Sequence, residues 1–184
     1  MRNTSRFMLI LTCVLSTGMA TGGGHDSPRV TFDQSLSGTV ATVQLFNPLT
    51  GEVTPKSLND GKGRGAPGPS TFRNLVRNEG PVGSCDDGRL KFAVAEFETV
   101  ITFQDGSMLF AVLDPSSENS FCLDLTVSPP IAERRVQLVV TGGTGRFKGA
   151  TGHLQERILG QNLGPAGLGQ ITGNRSGRVF LPSK

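Results

Sequence analysis

The stretch Leu138-Val139-Val140-Thr141-Gly142-Gly143-Thr144-Gly145-Arg146-Phe147-Lys148-Gly149-Ala150-Thr151-Gly152 decides the fold, because it admits two incompatible readings. One is a nucleotide-binding finger: an apolar strand, a glycine turn, and a helix whose N-terminus cradles a pyrophosphate. The other is a strand–turn–strand corner of a β-barrel. The glycine spacing already departs from the finger, since Lys148 stands where the third glycine belongs and Gly149 comes one residue late. A finger also needs a following helix, then a parallel strand, and an acidic residue about 20 residues on to hold a ribose. Gly149, Gly152, Gly160, Gly164 and Gly167 interrupt any such helix, each at roughly 0.5–1 kcal/mol relative to Ala. No acidic residue follows Glu156, and too little chain remains for a doubly wound sheet. The barrel corner is the reading adopted.

Outward from this corner, the N-terminus indicates a compartment. Arg2 and Arg6 form a basic start, Met8, Leu9, Ile10, Leu11 and Val14 a short apolar run, and Ser16 to Ala20 a small-residue stretch. This is the pattern of a secretory signal peptide over residues 1–20, too short in its apolar part to span a bilayer. The chain is expected to be secreted or periplasmic, with no transmembrane segment. Taking Arg2 and Arg6 from the 18 basic residues leaves 16 against 15 acidic ones. With no basic cluster beyond Arg134-Arg135, read as a solvated strand end, the balance excludes a nucleic-acid groove. Cys85 and Cys122 are the cysteines left after the leader. In an oxidising compartment they are expected to form a disulfide. A metal or redox pair would need C-x-x-C spacing and more ligands than His25 and His153 supply; no metal and no cofactor are expected.

The remaining sequence is all-β. Apolar, β-branched runs alternate with Gly, Pro, Asn and Asp clusters, predicting strands over residues 29–34, 39–46, 71–77, 90–103, 108–114, 120–127, 135–141, 152–159 and 170–181. The long run 90–103 is expected to bend or break near Glu96. Asp105-Gly106 predicts a tight hairpin, and Pro129-Pro130 ends the strand before it. Residues 21–28 read as a disordered lead-in to a single domain over 29–184. Residues 47–70, rich in Pro and Gly and poor in large apolar side chains, read as a flexible loop or a lid. With no Trp or Tyr in the chain, phenylalanine must supply the bulk of the core. Residues 108–113 are apolar at every position, as for a strand covered on both faces.

These residues carry a resemblance. Gly142-Gly143-Thr144-Gly145-Arg146-Phe147-Lys148-Gly149-Ala150-Thr151-Gly152 is similar to the corner motif of the allene oxide cyclase and dirigent barrel superfamily, and most of all to its uncharacterised secreted bacterial members. The hairpin from Ile101 to Ser107 and the Cys85 and Cys122 neighbourhoods support it. The resemblance implies a closed antiparallel eight-stranded β-barrel, a homotrimer, and an apolar cavity that in these families orients or cyclises unsaturated lipids or phenolics. In the corner, Gly142, Gly143 and Gly145 permit the tight bend, Phe147 plugs the barrel end, and Gly149 and Gly152 let the next strand start close to its neighbour.

Three carboxylates are candidates for acid or base chemistry. Strand alternation puts Leu154, Glu156 and Ile158 on one face, with His153, Gln155 and Arg157 on the other. Glu96 and Glu98 are assigned to the face of Phe92, Val94 and Val100. A carboxylate in such an apolar setting is a candidate catalytic group. His153 has no nucleophile placed beside it by spacing. The functional reading is a secreted barrel that holds a small apolar ligand in its lumen. One alternative is a cyclase- or dirigent-type enzyme, and another is a structural envelope barrel packed solid. A cavity lined with buried carboxylates would favour the enzyme.

Overall fold

The computed structural model describes residues 28–161 and 168–183. The leader over 1–20 and residues 21–27 lie outside the described residues, as does the middle of the glycine-rich segment 160–169. Pro28, the last residue of the expected lead-in, belongs to the folded body, where its carbonyl accepts from the Leu181 amide at 2.9 Å.

Nine strands follow in order: β1 (Arg29–Phe46), β2 (Val53–Ala66), β3 (Ser70–Ser84), β4 (Leu90–Phe103), β5 (Met108–Leu113), β6 (Ser120–Asp124), β7 (Ile131–Gly143), β8 (Thr151–Gln161) and β9 (Gly169–Phe180). All pairings are antiparallel, and β9 returns to β1, closing an eight-stranded barrel. The ninth strand is accounted for by one interrupted stave. β5 pairs with residues 98–102 of β4, β6 pairs with residues 90–93 of the same strand, and both pair with β7 on their other edge. They run in one direction, in line, and together fill the position between β4 and β7.

Between them the chain leaves the sheet over residues 114–119, and side chains mend the ladder. The Asn119 Oδ1 accepts from the Gln137 amide of β7 at 2.8 Å, while its Nδ2 donates to the carbonyls of Asp114 and Ser117. The Cys85–Cys122 disulfide, with Cα atoms 6.3 Å apart, ties the β3–β4 connection to short β6.

The corner forms as the sequence predicts. β7 ends at Gly143, a single 3-10 turn (Gly145–Phe147) follows, and β8 returns antiparallel. No helix and no parallel strand stand behind the glycines, so the nucleotide-binding reading is excluded. Phe147 is fully buried and packs on Phe103 (ring centroids 4.9 Å) and Phe32 (6.4 Å), plugging this end of the barrel. Arg146 covers the plug from outside, 4.7 Å above Phe103 and 4.9 Å above Phe147. The Asp105-Gly106 hairpin also forms, with Gly106 at φ 77°.

Residues 47–70 are not a flexible loop: β2 occupies Val53–Ala66 and pairs with β1 over its whole length and with β3 over half of it. The glycines that suggest a loop serve the barrel interior. A Cβ on inward-facing Gly61 would lie 2.6 Å from the Phe72 ring, so the missing side chain makes room for the larger one of its direct partner on neighbouring β3. The suggested break between residues 34 and 39 is also absent, since β1 runs through it. The expected bend in β4 is present as a register shift between Arg77 and Asn78 of its β3 partner, opposite Glu96 and Val94. The outer face of β5 is only half covered, with Val112 exposed, so the second cover expected for that strand is not supplied by this chain.

Gly152 is where backbone geometry is least negotiable. It sits at φ 136°, and a Cβ there would lie 2.2 Å from the Arg178 carbonyl oxygen of β9. Gly152→Ala is therefore expected to cost about 2–3 kcal/mol or more, measured as a loss in urea midpoint. A variant as stable as the parent would show that the corner can open without cost.

Candidate functional site

Alternation along the staves sorts the interior into three layers. The corner end is packed with Phe32, Phe103, Phe147, Leu109 and Val179. The middle is polar. At the opposite end the inward positions become small, including Thr42, Ser57, Ala132 and Gly160, and they leave a cavity of about 340 Å³. This cup lies within the size range of small-ligand sites. Its wall is mainly apolar, with Val40, Phe121, Leu123, Leu125, Ile158 and Ile171, and Asn59, Asn78 and Arg134 add polar groups. Exposed Phe46, Leu49, Val53, Val82, Leu125 and Leu168 stand on the strand ends and connections of the same rim.

The middle layer centres on Glu156, which is fully buried. Its Oε2 accepts from Arg175 Nε at 3.1 Å and Nη2 at 2.6 Å, and its Oε1 from Asn74 Nδ2 at 2.9 Å and Arg134 Nη2 at 3.4 Å. Turned with its amide oxygen toward Arg134, Asn59 accepts from both Nη atoms at 3.2 Å. The two guanidiniums lie over aromatic rings, Arg134 5.0 Å from the Phe97 centroid and Arg175 5.2 Å from that of Phe72. Burial pushes the Arg134 pKa down from its ordinary value, and the Glu156 charge opposes that shift.

The sequence places Glu156 correctly on the inner face with Leu154 and Ile158, and His153 on the outside. It is a counter-ion in this setting: both oxygens are engaged by three side chains. The same layer shows two residues that sequence reasoning missed. Arg134, by sequence a solvated strand end, is buried instead, and Arg175 is the largest fully buried side chain among the described residues. The signal was present. On β7 the inward series is Ala132, Arg134, Val136, Leu138, and on β9 it is Ile171, Gly173, Arg175, Gly177, Val179, each an apolar or small row with one cation in it.

Glu96 and Glu98 do not join the site. The bulge at Ala95 resets the alternation, so Val94 and Phe97 face in while Glu96 and Glu98 face out. Glu96 accepts from Lys56 Nζ at 2.6 Å and Arg77 Nε at 2.9 Å, and these bonds, Lys56 first, hold its pKa below the ordinary value. A second carboxylate hub stands on the outer wall. Glu133 accepts from Arg89 (2.9 Å), Arg135 (2.8 Å) and Arg157 (2.7 Å). These partners, Arg89 foremost, draw its pKa down to about 2. Among the described residues no group of three or more metal-ligating side chains occurs, and no helix is long and apolar enough to cross a membrane. Compared with protein-family models and with curated proteins, the chain matches none.

Two outcomes follow from these charges. Glu156→Leu leaves two buried guanidiniums without their carboxylate and should cost about 3–5 kcal/mol in urea unfolding, whereas the E156L/R175M pair should recover part of that loss. Equal costs for single and double variants would show that the pair does not act as a unit. For Glu133 the folded pKa is depressed, so its contribution is present above about 4.5 and is lost as pH falls toward about 2. The urea midpoint should drop across that window, and E133Q should drop less; parallel curves would contradict the assignment.

Proposed function

We propose that the chain is a binding barrel that holds one small, largely apolar ligand in the cup at its open end. The observation that carries this reading is the contrast between the two ends. Three phenylalanines plug the corner end, while the other keeps an apolar-walled space of about 340 Å³ open to solvent between small inward residues. A barrel with a purely structural role has no need of that space, because eight staves enclose a lumen that side chains can fill. The exposed apolar side chains of the rim support entry of an apolar molecule, since exposed apolar surface around a cavity is a mark of interaction sites.

The barrel acts in an oxidising compartment on this reading, in keeping with the Cys85–Cys122 bond. Membership of the allene oxide cyclase and dirigent barrel superfamily belongs to the same proposal, supported by the closed eight-stave barrel and by the corner formed at its motif. So does the homotrimer, for which the half-covered outer row Val100, Phe110 and Val112 on β4 and β5 offers an apolar face. The enzymatic alternative is less supported. The buried carboxylate is enclosed by arginines and does not line the cup.

The chain has no Trp or Tyr, so a single Trp reports on one place. Leu123→Trp puts the reporter in the cup wall. Titration of this variant with 1-octanol is expected to shift or quench the indole emission saturably. Ala132→Phe, which fills the same space, should weaken the response at least tenfold. An emission that ignores octanol at millimolar concentration would remove the ligand-binding reading.

A further inference from the structure

We infer that the ligand of the cup carries a single anionic head, seated against Arg134 beneath an apolar tail. This inference rests on the reading of the cup as a ligand site and names the class of molecule it takes.

The lumen holds an uneven set of charges. Among the described residues its inner face carries two guanidiniums, Arg134 and Arg175, and one carboxylate, Glu156. The other charged residues of β7, β8 and β9, Glu133, Arg135, Arg157 and Arg178, lie on the outer face and pair there or meet solvent. The interior therefore keeps one positive charge in excess. Glu156 does not divide itself equally. Arg175 holds one oxygen through two bonds of 3.1 and 2.6 Å. Arg134 reaches the other at only 3.4 Å, and that oxygen also accepts from Asn74. The under-compensated guanidinium is thus Arg134.

Arg134 is also the one of the two that lines the cup. It is 6% exposed; its Nη atoms also donate to the neutral Asn59 amide oxygen, and its Nε–H, like Nη1 of Arg175, meets no protein acceptor. A buried cation without an equal counter-charge is costly. A guanidinium offers forked donors that match a carboxylate or sulfate in a geometry no neutral group reproduces. Asn78, on the same wall, adds an amide to the polar side of the cavity. Above these groups the wall is Val40, Phe121, Leu123, Leu125 and Ile171, which have nothing to offer a polar tail. One excess charge selects a monoanion, and it opposes an ammonium head.

The test uses the wild-type chain from residue 21 and isothermal titration near pH 7.5 with four probes of equal tail: octanoate, octyl sulfate, 1-octanol and octylammonium. Octanoate and octyl sulfate are expected to bind at least tenfold more tightly than 1-octanol, and octylammonium more weakly than either. In Arg134→Met the anions should lose at least tenfold while 1-octanol is retained. Equal affinity for octanoate, octyl sulfate and 1-octanol would overturn the inference and leave the cup as an apolar site. Preference for octylammonium, or an anion preference undiminished in R134M, would also overturn it. Binding of none of the four would remove both the cup and its head group. The wild-type series decides alone if R134M does not fold.

Discussion

The contact on which the interior is organised is the pair of hydrogen bonds from Arg175 to Glu156, made where neither side chain touches water. Withdrawing both ions from solvent costs several kcal/mol each, and good geometry with further hydrogen bonds is what offsets it. Here the geometry is forked, Asn74 takes a second oxygen, and Phe72 lies against the guanidinium. The layer spans the lumen, because its members come from β3, β7, β8 and β9 and the bonds cross between staves far apart in sequence. It sets the division of labour inside the barrel. Below it the space is aromatic and solid, and above it lies the cup. An apolar layer of similar volume would hold the staves together about as well, so stability alone does not explain why charges stand there. On the proposed reading the excess cation at the floor of the open cavity does.

Closure is the second constraint, and it shows how little regularity a barrel needs. One stave is made of two short pieces, β5 and β6, with an excursion between them. An open ladder at that point would expose Gln137 of β7 and weaken the seam. The Asn119 amide group substitutes for the missing backbone, accepting from Gln137 while donating to two carbonyls of the excursion. The disulfide then fixes β6, whose five residues have few ladder bonds of their own, to the end of the β3–β4 connection. Because the cup wall includes Phe121 and Leu123 of β6, this pinning also shapes the cavity.

What could be read from the sequence was whatever depends on local rules. The glycine corner, the Asp105-Gly106 hairpin, the pairing of Cys85 with Cys122 and the inner face of β8 all follow from turn chemistry, redox logic or period-two alternation, and the structure contains each of them. What could not be read depends on partners distant in sequence. β2 looks like a loop because its inner face is rich in glycine and asparagine, and the reason lies in Phe72 on neighbouring β3 and in Arg134 across the lumen. Simple alternation groups Glu96 and Glu98 with Phe92 and Val94, but one bulge at Ala95 inverts the phase of everything after it, and a bulge has no strong signature in β4 itself. Arg134 and Arg175 were passed over because a lone arginine in a strand is normally outward. Only the inward register of their neighbours shows otherwise, and a cation becomes tolerable there only once Glu156 is known to face the same way.

The position of the cavity follows from side-chain size and not from any widening of the backbone. An eight-stranded barrel has an interior just broad enough for side chains to fill. At the corner end the inward residues of β1, β4 and the turn are Phe32, Phe103 and Phe147, whose rings meet at 4.9 to 6.4 Å and leave no room. At the other end β1, β2, β7 and β8 contribute Val40, Thr42, Ser57, Ala132 and Gly160, none of which fills the space. Enlarging any of these would extend the packed core upward at no evident cost to the sheet, and the burial of another large apolar side chain would add roughly 1.5–3 kcal/mol. The chain forgoes that stabilisation at five positions on four staves on one side of a buried charge layer and takes it in full on the other. On the proposed reading, a residue pattern that leaves the core unfinished only above Arg134 is what a bound molecule requires, its own apolar part completing the packing that the side chains omit.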